Sequence, residues 1–183
     1  MIRPWREIQS RIEYQTRIFT LKIRRMLSPR NGLEHDFYVL ETADWVNVIP
    51  LTADNRVVMV RQYRAAADEI TLEIPGGLIE SGQTPEESAR RELLEETGHA
   101  CEELVSLGRV RPNPAILENT CHFFLARGAE QVAELNQDEA EDIEVVKVGL
   151  DEIPGMIAEG RIDHSLVVAA FYRFFSREGR SAG

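Results

Sequence analysis

Three glutamates, Glu92, Glu95 and Glu96, stand in the run Arg91-Glu92-Leu93-Leu94-Glu95-Glu96-Thr97-Gly98. If the run is helical, the spacing i, i+3 and i+4 sets all three carboxylates on one face. Like charges so placed destabilise a helix by about 0.2–0.5 kcal/mol per pair unless a cation sits among them. A hard divalent ion bound through oxygen is the natural partner. The plain alternative is a solvated acidic face, and the three glutamates taken alone favour it. Upstream, Pro75-Gly76-Gly77 supplies two glycines, which permit positive φ and close approach of backbone to a ligand.

Local signals predict the helix. Thr84 can cap its N-terminus, Pro85 suits the first helical position, and Glu87 completes a Thr-x-x-Glu capping box. Gly98 ends it as a C-terminal glycine.

The chain has 183 residues, 43% of them hydrophobic, enough for one medium domain or a domain with a smaller appendage. Its net charge of −10 argues against a general nucleic-acid binder, which needs a basic surface. An anionic substrate would need local arginines or a metal. Cys101 and Cys121 form no metal-type spacing and are too few for a secreted disulfide scaffold. No apolar run approaches the roughly 20 residues of a membrane span, and the N-terminus lacks a signal-peptide stretch. The expectation is a cytoplasmic protein with no membrane partner.

Residues 11–27 read as extended chain, Ser28-Pro29-Arg30-Asn31-Gly32 as a turn, and 34–42 as a second strand. This antiparallel unit is too small to be stable alone. From Asp44 the pattern is strand, turn, strand: WVNVIPL, then 52–55, then RVVMVRQYR. A short strand over 70–75 leads into the glycines. Beyond the acidic helix, strands are expected near 102–110, 120–127 and 143–149, and helices near 151–159 and 164–177. The polar stretch 128–142 reads as a long surface loop. Mixed strands with few helices indicate an α+β chain or an α/β sandwich. His35, His122 and His164 show no ligand spacing with one another and read as incidental or hydrogen-bonded residues. Trp5, Tyr14, Phe37, Tyr38 and Trp45, in or near the N-terminal unit, read as packing aromatics.

The 23-residue segment Gly77–His99 resembles the Nudix box: glycine, five residues, Glu, seven residues, then Arg-Glu-aliphatic-x-Glu-Glu-x-Gly-aliphatic. Gln83 stands where the family usually has its first Glu, and His99 replaces the closing aliphatic residue. The preceding RQYRAAADEITLEIPGGLIE is similar to the same region of ADP-ribose and nucleoside-diphosphate-sugar pyrophosphatases, and the resemblance covers roughly residues 44–175. It implies a Nudix-type α/β/α sandwich with a mixed sheet over 44–183. A small antiparallel β unit over 1–43 precedes it, of the kind that subgroup uses to form homodimers.

The resemblance also implies chemistry: Mg²⁺-dependent hydrolysis, with Mn²⁺ as an alternative, of a nucleoside diphosphate sugar such as ADP-ribose, ADP-glucose or GDP-mannose. The products are a nucleoside monophosphate and a sugar phosphate. By position, Glu92 and Glu96 are the principal metal ligands, Glu95 assists, and the Gly76 carbonyl contributes; oxygen-only ligation suits Mg²⁺ or Mn²⁺ and not zinc. Arg91 holds box carboxylates in place. Arg64 matches a position that contacts substrate phosphates, and Glu73 one that supports the site. In Asp138–Val145, DEAEDIEV, Glu139 matches the general base and Glu141 is the runner-up. Glu118 follows Arg111-Pro112-Asn113-Pro114-Ala115, where ADP-ribose pyrophosphatases usually show Ser-Pro-Gly, so it is a candidate lining residue of the substrate cleft. The Asn-Pro-Ala version leaves room for nucleotide sugars other than ADP-ribose. Gln83 motivates an alternative, a nucleotide-sugar sensor that catalyses poorly; a hydrolase of dinucleoside polyphosphates is another.

Overall fold

Strand-forming residues near the N-terminus build β1 (Arg6–Gln15), β2 (Thr20–Leu27) and β3 (Glu34–Glu41), an antiparallel sheet in the order β1-β2-β3. In this computed structural model, which describes residues 1–134 and 142–179, the extended run expected over 11–27 is two strands. Thr16 breaks it: its hydroxyl accepts from the Ile18 and Phe19 amides and donates to the Phe19 carbonyl, so the chain turns back. Opposite charges meet across the strands at Arg24–Glu7, Arg25–Asp36 and Lys22–Glu41. The segment Arg111–Thr120 belongs to the same compact unit, which otherwise spans Met1–Asp44. Leu117 bridges Leu40, and Asn119 donates to the Ala43 carbonyl.

The second unit comprises the described residues from Trp45 to Val110 and from Cys121 onward. Its elements are β4 (Trp45–Leu51), β5 (Arg56–Arg64), β6 (Glu69–Glu73), β7 (Gly76–Leu78), α1 (Pro85–Thr97), β8 (His99–Ala100), β9 (Glu103–Val110), β10 (Cys121–Arg127), β11 (Glu130–Gln131), β12 (Ile143–Gly149), α2 (Ile153–Ala158) and α3 (Ser165–Arg177). The main sheet runs β12-β5-β4-β10-β9, with β6 paired to β5 and β7 to β4. It is mixed: β10 lies parallel to β4 and antiparallel to β9. Although WVNVIPL and RVVMVRQYR are consecutive, β4 and β5 are registered only at Leu51↔Val57. Most of β4 pairs instead with β10 and β7, which draws the glycine strand against the sheet.

Strand alternation creates two apolar faces. Val46 and Val48 of β4 and Phe124 and Ala126 of β10 pack with Ala89 and Leu93 of α1. Ile49, Phe123 and Leu125 point the other way and meet Met156 of α2 and Val167, Phe171 and Phe174 of α3. Each fully buried phenylalanine contributes about 1.5–3 kcal/mol of transfer free energy. The result is the α/β/α sandwich with a mixed sheet expected from the sequence. Among the described residues, no helix is long and apolar enough to cross a membrane.

Helix α1 is built as its sequence predicts. Thr84 accepts from the Glu87 amide and Glu87 reaches back to the Thr84 amide, while Gly98 closes the other end in the left-handed conformation at φ 67°. The Thr84 amide and hydroxyl both hold the Glu87 carboxyl below the usual range.

Candidate active site

The face of α1 that carries Glu92, Glu95 and Glu96 opens on a cleft of about 350 Å³. Glu92 and Glu96 are 8% and 4% exposed, so this is no solvated face. Burial of carboxylates demands partners, and Arg91 supplies several. Its guanidinium donates to Glu95 Oε2 at 2.7 Å, to Glu92 Oε1 at 2.8 Å and to the Leu78 carbonyl at 3.1 Å. Partial burial works against its charge, but Glu92, Glu95 and Glu80 around it raise its pKa further. Glu96 accepts from the Gly76 amide at 3.0 Å, which ties the helix to β7.

The two glycines matter through close approach. Neither Gly76 nor Gly77 adopts positive φ; a Cβ at Gly77 would collide with the Glu92 carboxylate, and one at Gly76 with the Val46 carbonyl. Their lack of side chains lets β7 lie between α1 and β4.

Gln83 accepts from Ser88 Oγ at 2.8 Å and from Arg91 Nε at 3.4 Å, and its amide donates to Glu80 at 3.2 Å. It does at its carbonyl oxygen what a carboxylate would do there, and its NH₂ group adds a bond that a carboxylate has no proton to make. It supports Arg91 from outside the cleft lining.

Arg64, at the end of β5, also lines the cleft. Its fork closes on Glu73, with Nε to Oε1 and Nη2 to Oε2 both at 2.7 Å, and Thr71 donates to Glu73 Oε1 at 2.6 Å. Glu73 is 2% exposed. Burial alone would raise its carboxyl, but the Arg64 and Thr71 hydrogen bonds and the Arg64 charge outweigh it and hold the pKa below the usual range. The pair follows from register: Gln62 faces Thr71 and Val60 faces Glu73 across β5 and β6, so Arg64, Thr71 and Glu73 share one face.

A second cavity, of about 370 Å³, adjoins the first and shares Arg64, Gly76, Gly77 and Leu78 with it. Trp45, Asn47, Glu73, His164 and Leu166 complete its wall. Trp45 opens β4 in the second unit and so does not belong with the N-terminal aromatics. His164, read from sequence as incidental, is brought here by the packing of α3, and no spacing in the chain signals it.

The structure thus gathers Arg64, Glu73, Gly76, Glu92, Glu95 and Glu96 at two adjoining cavities. Glu118 lies in the first unit, its amide donating to the Leu40 carbonyl at 3.3 Å, and is not among the residues that line either cavity. Glu139 and Glu141 lie outside the described residues.

Three carboxylates on one helical face beside a backbone strand form an all-oxygen donor set, which fits a hard divalent ion. Among the described residues, no three acidic, imidazole or thiolate groups converge closely enough to hold a metal as they stand. Glu92 and Glu95 are drawn onto Arg91, and gathering on an ion requires them to turn towards it.

A Nudix domain model matches residues 42–171. The chain belongs to the Nudix family. Among its relatives, the methanol dehydrogenase activator of Bacillus methanolicus is 34% identical over 163 residues, covering 87% of this chain and 86% of that protein. The ADP-ribose pyrophosphatase of Bacillus subtilis (strain 168) is 34% identical over 123 residues, covering 67% and 66%. A GDP-mannose pyrophosphatase of Salmonella arizonae is 30% identical over 156 residues, covering 79% and 81%. A crystal structure of an ADP compounds hydrolase superposes with a TM-score of 0.84 over 98% of both chains at 20% identity, so the whole Nudix fold, with its N-terminal sheet, is shared.

Proposed function

We propose that this Nudix hydrolase cleaves the diphosphate bond of nucleoside diphosphate sugars, with Mg²⁺ as cofactor, to give a nucleoside monophosphate and a sugar phosphate. The observation that carries the reading is the placing of Arg64, locked on Glu73, in the same cleft as Glu92, Glu95 and Glu96. A guanidinium and an acidic oxygen cluster are complementary needs of a metal-diphosphate substrate. Two relatives, named for ADP-ribose and GDP-mannose, support the substrate class.

In this reading Glu92 and Glu96, with Glu95 and the Gly76 carbonyl, hold the ion, which when bound neutralises diphosphate charge and lowers the pKa of water. Arg64 binds the diphosphate, and Glu73 fixes the plane of its guanidinium. Arg91 holds Glu92 and Glu95 on the cleft side of α1. Glu139 takes the proton from the attacking water, with Glu141 second in line. The exposed apolar residues of the N-terminal sheet, Ile12, Tyr14 and Tyr38, support a homodimer formed through residues 1–43. Both cysteines are free, which accords with a reducing, cytoplasmic setting.

The test is a panel of ADP-ribose, ADP-glucose and GDP-mannose with and without Mg²⁺ or Mn²⁺, with products identified chromatographically. Metal-dependent release of nucleoside monophosphate from at least one is expected. Absence of turnover on all of them, alongside hydrolysis of a dinucleoside polyphosphate, would move the chain to another Nudix substrate class.

A further inference from the structure

The acidic cleft accounts for the α1 side of β7 and leaves the adjoining cavity without a role. That cavity has a different chemistry: the indole of Trp45, the amide of Asn47, the carboxylate of Glu73 and the imidazole of His164. Gly76 and Gly77 line both spaces, and no side chain of theirs walls one from the other. Arg64 also lines both. A ligand whose diphosphate meets Arg64 can therefore pass over the glycines and place its next group beside Trp45.

Resting on the diphosphate-hydrolase reading above, we propose that this cavity is the subsite for the sugar of the substrate, with His164 hydrogen-bonded to a sugar hydroxyl. His164 Nδ1 is buried and has no hydrogen-bond partner among the described residues. A buried ring nitrogen left unpaired is destabilising, and a ligand group that reaches it removes that penalty. A hydroxyl meets the need in either tautomer, because it both donates and accepts. Asn47 accepts from the Cys121 thiol at 3.2 Å, and Glu73 is bound by Arg64 and Thr71, so both polar walls are held in place. Trp45 contributes an indole for the C–H face of a sugar ring, and a wall that combines it with Asn47, Glu73 and His164 suits an amphipathic guest. A second phosphate fits poorly here, since the Glu73 carboxylate offsets the Arg64 charge on this side.

Trp45 also provides the readout. The chain has two tryptophans, and Trp5 packs on His35 and Phe37 in the first unit, so a Trp5→Phe background isolates Trp45 emission. Ribose 5-phosphate, mannose 1-phosphate and AMP are titrated separately with Mg²⁺ present. Saturable change with a sugar phosphate is expected, weakened about tenfold by His164→Ala and within about threefold of the parent in His164→Gln, which keeps a hydrogen-bonding group. If the alanine variant does not fold, His164→Leu, which fills the ring's space without a hydrogen-bonding group, carries the same comparison. No Trp45 response to either sugar phosphate, an unchanged affinity in the alanine variant, or a response to AMP alone would overturn the assignment. Binding is read without turnover, so hydrolysis with a silent Trp45 refutes the subsite and leaves the hydrolase, whereas sugar-phosphate binding without hydrolysis does the reverse.

Discussion

Arg64 closes both arms of its fork on one carboxylate, Glu73, whereas Arg91 divides its guanidinium among Glu92, Glu95, the Leu78 carbonyl and Gln83. The first arrangement is stiff: two parallel bonds of 2.7 Å and a third from Thr71 fix the carboxylate in a nearly dry setting. The second is shared, with Glu95 Oε2 accepting from one arm of the guanidinium and Glu92 Oε1 from the other. Two parallel bonds to one carboxylate fix the plane of a guanidinium and so present an oriented cation to a substrate. A guanidinium spread over several partners holds a group of carboxylates at the cleft yet lets them turn to a stronger cation. The same residue types thus serve positioning in one place and exchangeable binding in the other.

The largest effect should come from the exchangeable side. Glu92→Gln or Glu96→Gln removes a charged donor, and turnover with Mg²⁺ should fall by more than about a hundredfold, with metal affinity by calorimetry falling alongside. Near-normal rates would mean that these carboxylates have a structural role, Glu92 beside Arg91 and Glu96 at the Gly76 amide.

Next, Arg64→Ala should lower kcat/KM by about 30–100-fold, equivalent to 2–3 kcal/mol for a lost charge-assisted contact. It also leaves Glu73 buried without its cation, so thermal stability should drop. An unchanged kcat/KM with only a lower Tm would show a purely structural pair.

Glu73→Gln tests stiffness itself. It keeps an acceptor for Arg64 but loses the second arm, and should raise KM about tenfold with a smaller effect on kcat. Stability should fall by about 1 kcal/mol near neutrality, a figure reduced because the Arg64 side chain is 42% exposed. The Glu73 pKa is depressed in the folded state, so its contribution is complete above the usual glutamate range and disappears as pH falls through the folded value. The Tm gap between parent and variant should therefore close on acidification, and a gap that widened would reverse the assignment.

The smallest effect belongs to Gln83→Glu. A carboxylate there still accepts from Ser88 and Arg91 but faces Glu80 without a donor, so turnover should change by less than about threefold. A gain above tenfold would revive the sensor reading, in which this chain's own residue suppresses catalysis.

Much of this geometry was legible in the chain because it is local. The capping box, the i, i+3, i+4 carboxylates and the β-hairpin that aligns Arg64 with Glu73 are set by neighbours within about a dozen residues. The break at Thr16 was missed since a β-branched residue reads as strand while its hydroxyl closes a turn. Gly76 and Gly77 read as permitting positive φ and close approach of backbone to a ligand; neither has positive φ, and it is the crowding of β7 against Glu92 and Val46 that requires them. His164 and Trp45 were not legible as site residues. They are 119 positions apart in the sequence and meet through the packing of α3 on the sheet, which leaves no spacing to read.

The central claim, diphosphate cleavage at the Glu92–Glu96 face, is tested most directly by ³¹P NMR of ADP-ribose incubated with the parent chain and with Glu92→Gln. With Mg²⁺, the parent should replace the diphosphate resonances with those of two phosphomonoesters, AMP and ribose 5-phosphate, while chelated parent and the variant leave the diphosphate intact. Cleavage that persists equally under chelation or in the variant would contradict the account.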